Sequence, residues 1–437
     1  MRVLKFGGTS VGSAQRMKEV VELISDQHRK IVVLSAMAGT TNSLVEITNY
    51  LYKQDHDGAT ELIIQLEKKY ENEVAALYKT NEYKKKGLQL IHSHFEYIKS
   101  FTKDMFTVFE EKAILAQGEL ISTAMFHYYL LENGKNSVLL PALDYMRINK
   151  NNEPDNAYVK ENLNQILESY PETGIFITQG YICRNAFGEI DNLQRGGSDY
   201  SASLIGVACG AEEIQIWTDI DGMHNNDPRY VEGTHSIKEL SFDEAAELAY
   251  FGAKILHPTS VLPAKLANVP VRLLNTLEPE AEGTLICSHQ EKHRIAAIAA
   301  KDGITAIKIK SGRMLLAYGF LRKVFEIFES YKTPIDMITT SEVGVSVTID
   351  DDCHLKEIVD DLKKFGTVDV DRDQVIVCVV GDLVAENNGY ANKIFDAVKE
   401  IPIRMISYGG SNFNVSLLIN ATDKKVALNL LSQKLFN

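Results

Sequence analysis

Residues 3–12 read VLKFGGTSVG, and this stretch decides how the rest of the chain is interpreted. An apolar run leads into Lys5, a glycine pair and two hydroxyl side chains, and an amphipathic helical pattern follows over 17–24. The order predicts a strand, a tight glycine loop and the start of a helix. Because glycines let a backbone approach a ligand and free N–H groups at a helix start favour an anion, we expect phosphate to bind here.

A plain tight turn is also compatible with these residues, and that alternative stays open on this stretch alone. The pattern is neither the G-x-G-x-x-G of dinucleotide-binding folds nor the G-x-x-x-x-G-K-[ST] of the P-loop, because Lys5 precedes the glycines. Support for a phosphate site must therefore come from the rest of the chain.

The composition is that of a folded protein with two or three domains, since the chain has 437 residues. The hydrophobic fraction of 45% and the charged fraction of 24% are ordinary for a globular protein. A net charge of −13 argues against nucleic acid as a main partner, because binding would begin against phosphate repulsion. A small anionic substrate stays compatible, because a local cluster of cations and N–H groups can dominate one pocket.

The sequence predicts neither export nor membrane insertion. No run of about 18 apolar residues occurs, and the first residues form a strand pattern instead of a cationic segment followed by an apolar one. The five cysteines are scattered without C-x-x-C spacing, and their odd number disfavours a disulfide framework. We therefore expect a reduced, cytoplasmic location.

Apolar strand patterns alternate with helical ones, which predicts an α/β fold with a mostly parallel sheet. Besides the first strand, the predicted strands are 30–35, 137–142, 174–183, 213–218, 271–275 and 284–287. Two or three helices are predicted over 60–132. The loop SAMAGTTN at 35–42 follows the second strand, with a helix expected from Ser43. Ligands of such sheets bind at the carboxyl ends of the strands, where both small-residue loops are expected.

A second glycine pair lies in LQRGGSDYSA at 193–202, with Arg195 before it and Ser198 and Asp199 after it. The simpler alternative is a turn followed by a helix that Ser198 or Asp199 caps. Two loops of the form cation, glycine pair and hydroxyl, each before a helix, are better explained as two sides of a phosphoryl-transfer site.

More polar residues follow the strand at 213–218, in TDIDG at 218–222 and NDPR at 226–229. Carboxylates after a strand suit a Mg²⁺–nucleotide site, although an Asp-rich turn fits the same residues. Lys254, beside a glycine, is a further cation. Local sequence around Glu119 favours a surface carboxylate over a site residue.

An internal repeat begins after 288–303. Residues 304–371 read β-α-β-β-α-β, and residues 375–435 read β-α-β-β-α without a last strand. The open edge needs a partner, and the apolar run 295–300 is the expected one, so the first module would be inserted into the second. The predicted domains are 1–290, 304–372, and 295–300 together with 373–437.

Together these motifs resemble the aspartokinases, which phosphorylate the side-chain carboxylate of L-aspartate from ATP. The resemblance covers essentially the whole chain and rests on KFGGTS (5–10), SAMAGTTN (35–42), GELIS (118–122), ITQGYI (177–182), RGGSD (195–199), WTDIDG (217–222), DPR (227–229), FGAKILHP (251–258) and ITTSEV (338–343). It is strongest to the single-function, lysine-sensitive members, so homoserine dehydrogenase activity is not expected. Each module resembles an ACT domain, a small amino-acid-sensing fold.

The resemblance implies a three-layer amino acid kinase-like domain followed by two ferredoxin-like ACT modules. It also implies that Lys5 holds the transferring phosphoryl group and that Asp199 orients Lys5. The implied ATP contacts are Lys5, Gly7, Gly8, Ser10, Thr218, Asp219, His224, Arg229 and Lys254. The implied aspartate contacts are Thr41, Glu119, Arg195, Gly196, Gly197, Ser198 and Asp199. Among these, Arg195 would pair with a carboxylate and Glu119 with the α-ammonium group.

An amino-acid effector, lysine in the first place, is implied at the first ACT module. The implied contacts are Met314, Gly319, Phe320, Leu321, Asp336, Thr340, Ser341 and Glu342. The chain departs from the family pattern at Ala317 and Pro334, where relatives carry serines, and at His224, which is usually tyrosine. Residues 191–194 read DNLQ where the family has Thr-Thr-Leu-Gly.

The expected enzyme uses ATP with Mg²⁺, has no metal site of its own, and forms a homodimer or larger oligomer through its ACT modules. Two alternatives stay open: a different carboxylate- or carbamate-directed amino acid kinase, and a non-catalytic amino-acid sensor. The ACT repeat and the RGGSD and GELIS motifs disfavour the first. The intact set Lys5, Glu119, Arg195 and Asp199 disfavours the second.

Overall fold

A computed structural model describes residues 1–103, 106–193, 197–252, 256–289, 294–311, 318–382 and 389–436. Contacts divide the chain into two units. The first comprises Met1–Met223 and Ile255–Ser288, and the second comprises His224–Lys254 and His289–Asn437.

The strands are β1 (Arg2–Phe6), β2 (Lys30–Leu34), β3 (Ser137–Leu140), β4 (Ile175–Gln179), β5 (Ile182–Arg184), β6 (Ile190–Asn192), β7 (Glu213–Thr218), β8 (Glu239–Ser241), β9 (Val271–Asn275), β10 (Thr284–Cys287), β11 (Ile295–Lys310), β12 (Ile338–Thr340), β13 (Gly344–Ile349), β14 (Thr367–Gly381), β15 (Met405–Tyr408) and β16 (Asn414–Asn420).

The helices are α1 (Ala14–Leu23), α2 (Thr40–Tyr52), α3 (His56–Leu77), α4 (Asn81–Ser100), α5 (Val108–Glu132), α6 (Ala142–Tyr145), α7 (Asn156–Glu168), α8 (Gly197–Ala208), α9 (Phe242–Phe251), α10 (Leu262–Ala267), α11 (Phe320–Ser330), α12 (Leu355–Leu362), α13 (Tyr390–Ala397) and α14 (Lys424–Leu435). Short 3-10 helices lie at Pro258–Val261 and Ala421–Asp423.

The sheet of the first unit has the order β3-β4-β2-β1-β7-β9-β10. Neighbours from β3 to β9 are parallel, and β10 is antiparallel to β9. All five residues of β2 and of β4 are buried, as expected for strands that are covered on both faces. The predicted mostly parallel sheet is confirmed.

Side chains of β1 alternate between the two faces of this sheet, as the two-residue period of a strand requires. Leu4 and Phe6 pack into a core that they share with α1 to α5. Val3 and Lys5 therefore point to the opposite face, where α8 contacts β1, β2 and β7. Helices cover both faces, which gives the predicted three-layer domain and places Lys5 on the side of α8.

Several boundaries in the first unit differ from the prediction. The strand predicted over 137–142 ends at Leu140, and Ala142 begins α6. Helix α2 begins at Thr40, not at Ser43. The strand predicted over 174–183 ends at Gln179, and β5 resumes at Ile182. The chain leaves the sheet at Gly180 because α8 packs directly against that residue: a Cβ atom on Gly180 would lie 2.5 Å from the Cβ of Ser198.

The second unit contains an antiparallel six-stranded sheet in the order β12-β13-β11-β14-β16-β15. Two long strands run through it. The first part of β11, 295–301, pairs with 376–381, and its second part, 304–310, pairs with 367–374 and with β13. The run 295–300 thus lies beside β14, in the position of the strand that the second repeat lacks.

Each half of this sheet has its own core. Side chains of β11, β13, α11 and α12 form one, and side chains of β14, β16, α13 and α14 form the other. The order of elements gives two ferredoxin-like modules, as the fold class predicted. Separate strands were predicted on either side of Asp302-Gly303, but the ladder continues through a register shift between Lys301 and Ile304, so β11 is one strand.

Residues 224–254 pack within the second unit, whereas the predicted catalytic domain extended to 290. Val231 enters the core of the second module. The Ile298 N–H donates to the carbonyl oxygen of Asn225 at 2.9 Å, and the Asn226 side chain donates to that of Leu428 at 3.2 Å. The contacts group this segment with the C-terminal part. The division into three domains stays a prediction.

Candidate active site

Lys5 and Asp199 form the central ion pair of the first unit. The Lys5 ammonium lies 2.6 Å from Asp199 Oδ1, and the two side chains are only 13% and 17% exposed. Lys5 reaches this position because the alternation of β1 turns it toward α8, whose first turn carries Asp199. Two residues from the two predicted loops are therefore brought together at the carboxyl edge of the sheet.

The first glycine loop passes close to the loop after β2. A Cβ atom on Gly8 would lie 2.9 Å from the carbonyl oxygen of Ala36, so only glycine allows this approach. A Cβ atom on Gly7 would lie 3.6 Å from the Lys5 ammonium nitrogen. The backbone of the first loop thus lies next to the Lys5 ammonium group, where the sequence predicts that phosphate binds.

Ser198, in the first turn of α8, connects three segments of the site. Its hydroxyl lies 2.9 Å from that of Ser35, which follows β2, and donates to Glu119 Oε1 at 3.3 Å. Ser122 on α5 donates to the carbonyl oxygen of Ser35 at 2.8 Å. Ser198 and Asp199 are helix residues here and not the cap that the simpler alternative proposed.

Glu119 on α5 is buried, with only 4% of the residue exposed. Its Oε2 accepts hydrogen bonds from the backbone N–H groups of Gly180 and Tyr181 at 2.9 and 2.6 Å. Burial raises the pKa of this carboxyl to about 7, although the two N–H donors, Ser198 and Lys5 act in the opposite direction. A carboxylate held in this way is not a surface group, and it favours a cationic ligand group.

The expectation that the start of α1 offers free N–H groups to an anion is wrong for two of them. The Ala14 N–H donates to Glu73 Oε2 at 2.6 Å, and the Arg16 N–H donates to the hydroxyl of Ser13. A carboxylate of the protein occupies the helix start. These two N–H groups are therefore not available to an anion beside Lys5.

One stretch of α3 contacts both loops, and the sequence interpretation missed it. The Lys69 ammonium donates to the carbonyl oxygen of Ala38 at 2.8 Å, and the Tyr70 hydroxyl bonds to that of Thr40 at 2.9 Å. Glu73 supplies the contact to α1. The only signal in the sequence is the spacing of these polar residues on a helix whose other side is apolar, and that spacing does not reveal their partners.

The remaining predicted contacts of the first unit lie near this edge. Ser10 is buried and donates to Thr276, which in turn donates to the carbonyl oxygen of Thr218 at 2.9 Å. Thr41 and Asp219 are exposed. Gly197 begins α8, whereas Arg195 and Gly196 lie outside the described residues.

The other predicted nucleotide contacts belong to the second unit or lie outside the described residues. Arg229 is exposed and forms a two-pronged ion pair with Asp227. His224 bridges to Ser236 in a short antiparallel pairing. Lys254 lies outside the described ranges.

The predicted effector residues that the structure describes lie in the first ACT-like module. Gly319 caps α11, Phe320 and Leu321 begin it, and Thr340, Ser341 and Glu342 are exposed at the end of β12 and in the turn to β13. Asp336 precedes β12 with a side chain that is 1% exposed. Met314 lies outside the described residues.

No three His, Cys, Asp or Glu side chains lie close enough to hold a metal ion in the part of the chain that the structure describes. All five cysteines are described, and none forms a disulfide. Within the described ranges, no helix is both long and apolar enough to cross a membrane.

Family comparisons agree with this arrangement. The amino acid kinase family matches residues 1–275, and an ACT domain matches residues 377–435. The chain is therefore an amino acid kinase that also carries an ACT domain. It is 32% identical to lysine-sensitive aspartokinase 3 of Escherichia coli K12 over 99% of both chains. It is also 32% identical to chloroplastic aspartokinase 2 of Arabidopsis thaliana, over 99% of this chain and 84% of that protein.

Solved structures give the same result. Escherichia coli aspartokinase III with lysine and aspartate matches over the full length of both chains with a TM-score of 0.85, and its complex with aspartate and ADP matches with 0.83, each at 32% identity. The aspartate kinase of Clostridium acetobutylicum matches with 0.86 at 26% identity, also over the full length of both chains. The chain belongs to the aspartokinase family, and the predicted resemblance is confirmed.

Proposed function

We propose that this aspartokinase transfers the γ-phosphoryl group of MgATP to the side-chain carboxylate of L-aspartate, and that lysine inhibits it through the ACT-like modules. The observation that carries the catalytic part is the Lys5–Asp199 pair at 2.6 Å, set between the first glycine loop and the start of α8. A carboxylate is already a nucleophile, so the reaction needs positioning and charge neutralisation more than a strong base.

The two sides of the site have different tasks. Lys5 and the backbone of Gly7 and Gly8 hold the transferring phosphoryl group and neutralise the charge that develops on it. Glu119, buried and bonded to two N–H groups, takes the α-ammonium group of aspartate, while Arg195 takes a carboxylate. Mg²⁺ arrives with the nucleotide, for which hard oxygen ligands such as Asp219 are suitable.

Lysine as effector is supported by two facts about relatives. Lysine-sensitive aspartokinase 3 matches this chain over nearly its whole length, and the solved aspartokinase III structure contains lysine. The predicted pocket around Asp336 belongs to the same module as Gly319–Leu321. A homodimer through the ACT-like modules and a cytoplasmic location complete the proposal.

An ADP-release assay with MgATP tests the whole proposal. We expect turnover with L-aspartate and none with N-acetylglutamate or carbamate. Lysine should lower the rate more than threonine or methionine does. Turnover with another acceptor only would contradict the substrate assignment, no turnover with any acceptor would favour a sensor, and inhibition by threonine alone would move the effector assignment.

A further inference from the structure

Asp336, a predicted contact of the effector, belongs to an ion-pair cluster with Tyr250, Lys301 and Asp350. All four residues belong to the second unit. The Lys301 ammonium lies 2.6 Å from Asp336 Oδ1 and 2.9 Å from Asp350 Oδ2. The Tyr250 hydroxyl donates to the same Asp336 Oδ1 at 2.9 Å. Lys301 also lies 4.5 Å from the centre of the Tyr250 ring, in a cation–π contact.

The cluster carries more acceptors than donors. Two carboxylates face one ammonium group, and both donors to Asp336 contact the same oxygen atom. The other oxygen, Asp336 Oδ2, is buried and has no hydrogen-bond partner. A buried, unsatisfied acceptor beside a surplus negative charge favours one more cationic donor.

A ligand cannot reach this carboxylate without displacing a protein group, because the Asp336 side chain is only 1% exposed. Lys301 is the group that can leave. Its long side chain is 18% exposed, and its second partner, Asp350, is 37% exposed, so the ammonium group keeps a counter-ion when it moves outward. Lys301 also lies where β11 changes register, so its pairing with β14 is irregular there.

We propose that Lys301 is an internal competitor of the effector: its ammonium group neutralises Asp336 until the ammonium group of an amino-acid effector replaces it, and Asp350 then holds Lys301. This inference rests on the proposed lysine inhibition and adds the residues that set its strength. The exchange replaces one ammonium–carboxylate contact by another, so the effector gains only the difference between the two. Inhibition is then weaker than an open pocket would allow.

Two variants should change the inhibition in opposite directions. Lys301→Gln removes the competing charge, and we expect the lysine concentration for half-maximal inhibition to fall by about tenfold. Asp350→Asn removes the alternative partner and commits Lys301 to Asp336, so that concentration should rise by about tenfold. All variants are assayed in the same buffer at the same pH, and turnover without lysine should equal that of the unmodified chain.

Lys424→Gln is a matched control from the second module. Lys424 is also a largely buried lysine, 2.7 Å from Asp302 and 4.2 Å from the centre of the Tyr230 ring. Its loss should not change the half-maximal lysine concentration. Thermal unfolding of all three variants shows whether each is folded, and Asp350→Asn leaves every buried group of the cluster in place.

The outcomes separate this inference from the proposed function. Shifts of Lys301→Gln and Asp350→Asn in the same direction, or no difference from Lys424→Gln, would overturn the competition while lysine inhibition of the unmodified chain stands. If lysine inhibits the Lys301→Gln variant but not the unmodified chain, the competition is supported, because Lys301 then excludes the effector completely. If no variant responds to lysine although all turn over aspartate, both the competition and lysine as effector are overturned, and the kinase assignment survives.

Discussion

The position of Lys5 depends on two elements of the site, strand β1 and helix α8. Strand alternation turns it toward α8, and Asp199 holds its ammonium group at 2.6 Å. In the role proposed for Lys5, its ammonium group is therefore in place before substrate arrives, and no reorganisation is needed when charge develops on the phosphoryl group. Lys5 is in turn the counter-ion of Asp199, so this carboxylate is paired in a site that is proposed to bind two anionic substrates.

Lys5→Met tests this charge. We expect kcat for aspartate phosphorylation to fall by roughly 10²–10³-fold, by analogy with the loss of one preorganised charge-stabilising donor. The melting temperature should also fall, because methionine leaves the largely buried Asp199 carboxylate without its counter-ion. Steady-state kinetics and thermal unfolding give the two values, and a variant with kcat near that of the unmodified chain would contradict the assigned role.

Glu119 gives the site a pH signature. Its pKa is raised from 4.5 to about 7, so the folded protein binds a proton between these values that the unfolded chain has released. In the ligand-free protein this contribution to the free energy of unfolding is complete below pH 4.5. It is lost as the pH rises through about 7, with a total of about 3 kcal/mol.

Aspartate binding should reverse that shift. An ammonium group beside Glu119 favours its ionised form, so binding at pH 7 should release up to about half a proton. Calorimetric titration in buffers of different ionisation enthalpy measures the number released. Glu119→Gln removes the titrating group, and the same buffer dependence in that variant would show that the proton comes from elsewhere.

Helix α3 contacts the segments that follow β1 and β2, and it thereby fixes the distance between the two loops of the site. Lys69 and Tyr70 contact the loop after β2, and Glu73 contacts the start of α1. The Tyr70 and Thr40 side chains are both buried, so each hydroxyl group relies on the other as its hydrogen-bond partner. Thr40 begins α2 and precedes Thr41, the predicted aspartate contact, so the geometry of that contact depends on α3.

Tyr70→Phe removes the bond from α3 to Thr40. We expect the free energy of unfolding to fall by about 1–2 kcal/mol and KM for aspartate to rise several-fold, with less change in KM for ATP. Tyr145→Phe is the matched control, because Tyr145 forms an equally buried pair with Thr178 at 2.7 Å on β4. Equal effects of both variants on KM for aspartate would show that general destabilisation, not loop position, is responsible.

At the scale of the whole molecule, the order of the chain and the order of the packing differ. Residues 224–254 carry three of the predicted nucleotide contacts, His224, Arg229 and Lys254, and the contacts group this segment with the C-terminal strands. The contacts are specific: Val231 enters the core of the second module, and the Asn429 side chain donates to the carbonyl oxygen of Tyr230 at 3.0 Å. Within the second unit, the packing of residues 224–254 therefore involves the C-terminal strands and helices.

A chain cut after residue 290 tests this dependence. We expect it to lose aspartate kinase activity and to show fast hydrogen exchange over 224–254, because the core around Val231 and the partners of Asn225 and Asn226 are absent. The full chain, assayed and exchanged in parallel, is the control. Turnover by the shortened chain near that of the full chain would mean that 224–254 folds on the first unit alone.

The sequence by itself determined the class of fold and the family. Hydrophobic periodicity is a local property, so the parallel strands, the double βαββαβ pattern and the two glycine loops could all be read from short windows. The unusual order of Lys5 before its glycines, with RGGSD and GELIS, was specific enough for the aspartokinases.

Only the tertiary structure decided which groups are free to act, because burial and hydrogen bonding join residues that are distant in the chain. Glu119 is ambiguous in its own segment and becomes a buried carboxylate only when Gly180 and Tyr181 pack against it. The start of α1, promising as an anion site, is occupied by Glu73 from another helix. Asp336 matches a pocket pattern in sequence, but its competition with Lys301 depends on a strand that the repeat pattern had divided in two.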